Sequence, residues 1–316
     1  MSLRRLGLAL CVGLLAVASP VLADEPVLLR FKFAKGDKLL YKSDHDMKQT
    51  QTILNMKIDT TTSQQAIMSK VVDDVDASGK ATLKTKAERR KVSADGATGK
   101  FEFDSKSTER DTTSAIGSAA TPILERLTGS EYEVIVTPRG EVAEVKGYVE
   151  LIADLIKENP QAAQFTGAAA GNSGAKLGEQ DSLIALSEKP VKPGDQWEIP
   201  FEVELEGVGK LHGKVTYVYE ANDKVGDRNT VRIGITSEVS IDLNINAGGA
   251  KVTGTLTTNS STGTAQFDPV AGRLLSAKRN FTMGGQLTVE AGGMVIPVDT
   301  QQEQTVSMTL LDKLPD

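Results

Sequence analysis

Most of the chain follows a two-residue rhythm. Stretches rich in Thr, Val and Ile alternate apolar with polar positions and are separated by Gly, Asp and Asn. In Val231-Arg232-Ile233-Gly234-Ile235 the apolar residues take every second place, so one face is buried and the other is wet. The same signature covers residues 28–33, 38–46, 61–75, 81–92, 196–206, 214–220, 230–245, 273–283 and 305–311. These segments predict antiparallel strands joined by hairpins.

Helical spacing is confined to the middle. Thr121-Pro122 predicts a helix start and Gly129 its stop, with Ile123, Leu124 and Leu127 on the apolar side. Tyr148, Leu151, Ile152, Leu155 and Ile156 share one face of a second helix that Asn159-Pro160 ends. A third short helix is expected over 180–186. Between 166 and 178 Ala and Gly dominate, which reads as a mobile connection.

Three features recur in the same order. Lys35-Gly36-Asp37 precedes one strand and Pro193-Gly194-Asp195 another; a hairpin follows each. Then Thr98-Gly99-Lys100-Phe101-Glu102-Phe103-Asp104 is echoed by Thr262-Gly263-Thr264-Ala265-Gln266-Phe267-Asp268. The repetition predicts two halves of similar topology. The expected fold is mainly β (α+β), with large curved antiparallel sheets from two similar halves and two or three central helices packed against them. The expected divisions are a leader over 1–23, an N-terminal β half with the central helices over 24–165, a connection with a short helix over 166–189, and a C-terminal β half over 190–316. Both halves are expected to form one unit.

At the Lys35-Gly36-Asp37 turn with Tyr41, the Pro193-Gly194-Asp195-x-Trp197 echo and the Gly263-x-x-x-Phe267-Asp268 hairpin, the chain resembles an uncharacterised family of exported bacterial β-rich proteins, a domain of unknown function. The resemblance implies no activity. A looser likeness of element order is to bacterial lipoprotein carriers and related lipid-binding proteins, in which a curved sheet wraps helices around an apolar cavity.

The first residues sharpen the export reading. Arg4 and Arg5 precede an apolar run from Leu6 to Val17, too short for a bilayer that needs about 20 residues. Ser19-Pro20-Val21-Leu22-Ala23 then offers a cleavage site, so a periplasmic or secreted chain starting at Asp24 is expected. Cys11 is the single cysteine and lies inside that leader. The mature chain then has no disulfide, thiol nucleophile or Cys-ligated metal. The net charge of −6 becomes more negative without the two leader arginines. That balance opposes nucleic acid, whose affinity comes from cations on phosphates. No later segment is apolar for long enough to span a membrane.

Candidate chemistry is sparse. Asp74-x-Asp76-x-Ser78-Gly79 matches the first half of a calcium loop, making Asp74, Asp76 and Ser78 a weak metal candidate. Thr85 stands where the closing glutamate belongs, and the same residues make a good hairpin turn. Gly171-Asn172-Ser173-Gly174 has the look of a serine-protease turn, yet it sits in an Ala/Gly stretch, and only His45 and His212 exist to serve as base. In Asp44-His45-Asp46 strand geometry lets the two carboxylates converge while His45 points away. Arg89-Arg90-Lys91 reads as a guard on a sheet edge. Trp197 reads as a core anchor.

These features predict no enzyme and no cofactor. The expected role is an exported, non-enzymatic binding protein for a lipid or other apolar small molecule. Its ligand would lie in a cavity between curved sheet and helices, lined by Ile123, Leu124, Leu127, Leu151, Ile152, Leu155 and Ile156. The alternative is a structural or protein-interaction component of the cell envelope, meeting other envelope proteins. A carboxylate-based hydrolase is the third reading.

Overall fold

The computed structural model describes residues 25–97, 99–160, 171–247 and 249–315. The expected leader, with its expected cleavage site, and residues 161–170 of the Ala/Gly-rich stretch lie outside them.

The alternating segments form one twelve-stranded antiparallel sheet that is curved and open. The strands are β1 (Lys38–Ile53), β2 (Met56–Val75), β3 (Ala81–Gly96), β4 (Gly99–Asp104), β5 (Glu131–Val136), β6 (Val142–Lys146), β7 (Gln196–Leu205), β8 (Gly209–Val225), β9 (Arg228–Ala247), β10 (Ala250–Asp268), β11 (Arg273–Ala291) and β12 (Met294–Leu311). Their order across the sheet is β6-β5-β3-β2-β1-β12-β11-β10-β9-β8-β7, with β4 added beside β3. The first and last long strands therefore meet in the middle, Leu40 opposite Leu311. β4 and β5 share the place of one strand: β4 pairs with 91–96 of β3 and β5 with 81–86.

Two prolines inside strands obey the edge rule. Pro200 lies on β7, which has β8 as its strand neighbour. Pro297 lies one position beyond the last β1–β12 pair, Ile53–Val298. Neither position asks proline for a ladder hydrogen bond on its free side.

The helices described are α1 (Ala115–Leu127), α2 (Tyr148–Glu158) and α3 (Asn172–Gln180). α2 lies where its apolar spacing and Asn159-Pro160 predict. α1 begins earlier than Thr121-Pro122 suggests: the Ser114 side chain caps the Gly117 N–H at 2.9 Å, and Pro122 sits inside the helix. The third helix lies over 172–180 instead of 180–186. Ala175, Lys176 and Leu177 favour helix there, Ala175 is buried, and α3 packs against both edge strands β6 and β7.

All strands run between two ends. At the capped end, residues 27–33 form an extended arm with one bridge, Val27–Val191, instead of the expected strand. Its Phe31 N–H donates to the Pro138 carbonyl and its Lys32 N–H to that of Gly272. Leu29, Phe31, Ile184 and Leu186 join Tyr217, Ile233, Phe267 and Leu274 in the largest core cluster. Phe31 meets Phe267 edge-on with ring centres 5.2 Å apart. Trp197 stacks on Tyr217 and donates its indole N–H to the Ala185 carbonyl at 2.8 Å.

The two Gly-Asp turns are built alike. Gly36 and Gly194 have φ of +89° and +93°, which suits glycine. The Asp37 and Asp195 carboxylates accept from the Ala34 and Lys192 N–H groups, both at 2.9 Å. Each turn then exchanges two backbone bonds with a neighbouring strand, through Val72 or Tyr219. A further pair escapes the sequence pattern. The turns Thr137-Pro138-Arg139-Gly140 and Asp268-Pro269-Val270-Ala271-Gly272 lie at the same end and hold the arm from two sides.

Candidate functional site

Strand alternation divides the sheet into an inner and an outer face. Inward positions near the capped end of β3 are Ala81, Leu83, Thr85 and Ala87. The register with β2 then shifts between Ile67 and Met68. Beyond that bulge the inward set becomes Arg90, Val92 and Ala94. One inserted residue has exchanged the faces of the strand.

This bulge overturns the edge-guard reading of Arg89-Arg90-Lys91. β3 has neighbours on both sides. Arg89 and Lys91 hold Asp104 of β4 at 3.2 and 2.8 Å on the outer face, while Arg90 turns inward. Burial opposes ionisation of Asp104. The Lys91 ammonium, the Lys106 N–H and Arg89 outweigh it and hold the carboxyl well below the usual carboxylate range.

Around Arg90 the inner face carries a polar group of residues. Lys70, 4% exposed, pairs with Glu179 of α3 at 2.7 Å and with Ser182 at 3.3 Å. The Tyr132 hydroxyl donates to the same carboxylate. Tyr132 and Tyr148 meet edge-on, centres 5.2 Å apart. Burial, and for Tyr132 the Glu179 charge, raise both phenol pKa values, so both rings stay protonated at neutral pH.

Farther along the inner face lie His45, whose Nε2 meets Gln304 Oε1 at 3.0 Å, and the buried Thr300. Toward the distal end, where the β1–β2 and β11–β12 hairpins turn, the inner face becomes apolar. Leu256, Met283, Leu287 and Val298 are buried, flanked by Ile53, Ile241, Leu243, Val252 and Phe281. Every member of that cluster is a strand residue. Leu54, Met56, Met294 and Val295 extend it into solvent at 62–68% exposure.

The seven apolar helix residues expected to line a cavity pack against one another and against β4. Ile123, Leu127, Leu151, Ile152, Leu155 and Ile156 cluster where α1 meets α2, and Leu124 packs with Phe101 and Phe103 of β4. None of them lines the five grooves described.

The largest of these grooves, about 650 Å³, is open and predominantly polar. Register places Glu102, Ser93, Ser63, Asp46, Thr305, Asn280 and Thr262 in one row across seven strands of the outer face. Ser63 donates to Asp46 at 2.6 Å and Thr305 to Asn280 at 2.9 Å. Asp44 and Asp46 share this outer face, and His45 points to the other. Asp44 takes Lys42 at 3.1 Å and Gln65 at 2.8 Å.

The Asp74–Ser78 segment makes a hairpin turn. Asp76 Oδ1 accepts from the Ser78 N–H at 2.8 Å, the Ser78 hydroxyl at 2.6 Å and the Lys80 N–H at 3.1 Å. Among the described residues no group of three His, Cys, Asp or Glu side chains is placed to hold a metal ion. Ser173 lies in the first turn of α3. No described helix is long and apolar enough to cross a membrane.

The chain aligns with lipovitellin at a TM-score of 0.47 and 12% identity over 90% of its length, spanning about a quarter (26%) of the lipovitellin chain. A Bacteroides fragilis protein with a YmcC-like fold gives 0.29 and 7%, covering 89% of this chain and 97% of that one. An outer membrane channel from Pseudomonas putida gives 0.23 and 7%, covering 89% and 97%. No curated protein matches. A family model matches residues 78–272, from the β2–β3 hairpin to the β10–β11 turn, more than half of the sequence. The chain belongs to that family, DUF6263, a family of unknown function.

Proposed function

We propose that this is an exported, non-enzymatic binding protein that takes up an apolar molecule on the distal inner face of its sheet. One observation carries the reading. The cluster centred on Leu256, Met283, Leu287 and Val298 is built from strands alone and continues into four exposed apolar side chains at the hairpin tips. A continuous apolar surface of this kind marks a place of association. Binding there draws on area removed from water, about 25 cal/mol per Å², and needs no reactive group. The apolar side chains of α1 and α2 pack on one another, and the reading places the ligand on the strands.

Native mass spectrometry and organic extraction of protein purified from cells test this reading. An apolar molecule is expected to co-purify, and Leu287→Asp is expected to lose it. Clean ligand-free protein that also takes up no fluorescent lipid would overturn it. Export is tested by the N-terminus of the cellular protein, expected at Asp24.

The polar row from Glu102 to Thr262 favours a second reading, an envelope protein whose outer face meets a partner or cell-wall polymer. In-cell crosslinking from Ser93 and Thr262 discriminates: a discrete product at those positions supports it.

A further inference from the structure

The bulge in β3 turns a guanidinium to the inner face, where no carboxylate among the described residues pairs with it. Arg90 Nε is buried and has no hydrogen-bond partner among the described residues. Burial works against its charge, and the ionisable groups nearest it are the Tyr132 and Tyr148 phenols. The neighbouring acid, Glu179, is engaged by Lys70 and by the Tyr132 hydroxyl. Lys70 and Glu179 neutralise one another, so one positive charge is left over in this layer. Thr85 Oγ1, on the inner face of β3 in register with Tyr132, is another buried polar atom without a partner among the described residues. Residues 161–170, Gln-Ala-Ala-Gln-Phe-Thr-Gly-Ala-Ala-Ala, include no acid that could serve as counter-ion.

Buried charges are paired in folded proteins because an ion removed from water without a partner is costly. A guanidinium presents a planar fork that matches a carboxylate or phosphate with two parallel hydrogen bonds. The Tyr148 hydroxyl is protonated and has no hydrogen-bond partner among the described residues, so it is free to donate.

We propose that Arg90 anchors an internal site for a singly charged oxyanion, a carboxylate or phosphate-type group, with the Tyr148 hydroxyl as second donor. The site goes beyond the apolar-ligand reading and stands without it. It accepts a free small anion or the headgroup of an amphiphile through the same chemistry.

The test is a titration of the purified chain, in chloride buffer, with inorganic phosphate, acetate and sodium decanoate, followed by thermal unfolding and native mass spectrometry. At least one of the three is expected to raise Tm saturably. A response to phosphate or acetate identifies a free anion, and a response to decanoate alone identifies an amphiphile headgroup. Arg90→Met removes the charge but keeps much of the volume. It is expected to abolish the response without lowering the starting Tm. Arg90→Lys keeps a response at least tenfold weaker. Should Arg90→Met fail to fold, Tyr148→Phe provides the readout, with affinity expected to fall several-fold. An unresponsive natural chain, an undiminished response in Arg90→Met, or unchanged affinity in Tyr148→Phe would each overturn the proposal. Loss of lipid uptake on Leu287→Asp with the anion response intact would separate this site from the apolar face.

Discussion

The two ends of the sheet are made by the same strands and finished differently. At the capped end an extended arm, two proline-containing turns and residues 183–191 fold across the inner face, and Leu29, Ile233, Phe267 and Leu274 become fully buried. At the distal end the strands run on alone. Their inner side chains shield one another, and the hairpin tips put leucine, methionine and valine into water. The difference teaches that strand alternation alone makes half of a core. The other half must come from something laid across it, and here one end has that layer.

The contrast can be broken by measurement. Phe267→Ala should cost about 3–5 kcal/mol, because a closed interior keeps the cavity. Met283→Ala should cost about 2 kcal/mol, the transfer term of a side chain whose neighbours face the open distal end. Equal shifts in urea midpoint would erase the distinction between the ends.

Between the ends, Lys70→Met should cost about 3 kcal/mol by leaving the largely buried Glu179 without its cation. Adding Glu179→Gln to that variant should restore most of the loss, as a double-mutant cycle would show.

Gly140→Ala probes the arm. Gly140 has φ +82°, and a Cβ there would lie 2.3 Å from the Ile184 carbonyl oxygen and 2.5 Å from the Phe31 ring. A loss of about 2 kcal/mol or more is expected, together with earlier hydrogen exchange at Val27 and Phe31. Undisturbed protection of the arm would separate it from the cap.

The smallest expected effect is Asp104→Asn, about 1 kcal/mol at pH 7. The folded carboxyl is held below its unfolded range, so its contribution is present above about pH 4 and fades as acid protonates it. The gap between natural chain and variant should therefore narrow below pH 4, as urea unfolding across pH would show.

Much of the sheet was legible in the sequence. Alternation placed the strands, and the Gly36-Asp37 and Gly194-Asp195 turns announced themselves because left-handed backbone and aspartate capping leave a residue signature. β12 extends well before Thr305 because Gln301, Gln302 and Gln304, polar in sequence, pair between two strands. The start of α1 was masked by Thr121-Pro122, which imitates a cap inside a helix already begun at Ser114. Arg90 was unreadable for a different reason. A bulge exchanges the faces of everything downstream, and its position depends on the neighbouring strand and not on local composition. The shared Pro-containing turns were missed because one lies after a short strand and the other after a long one.

The central pairing of β1 with β12 has a temporal cost. Tyr41 lies opposite Leu310 and gives its hydroxyl to the Leu274 carbonyl, so the opening strand finishes its ladder only against the closing one. Contacts spanning almost the entire chain form slowly, because their loop entropy comes first. A growing polypeptide therefore remains unsealed along its midline until β12 has been made, and a fragment ending before Met294 would expose one flank of β1 to any passing strand.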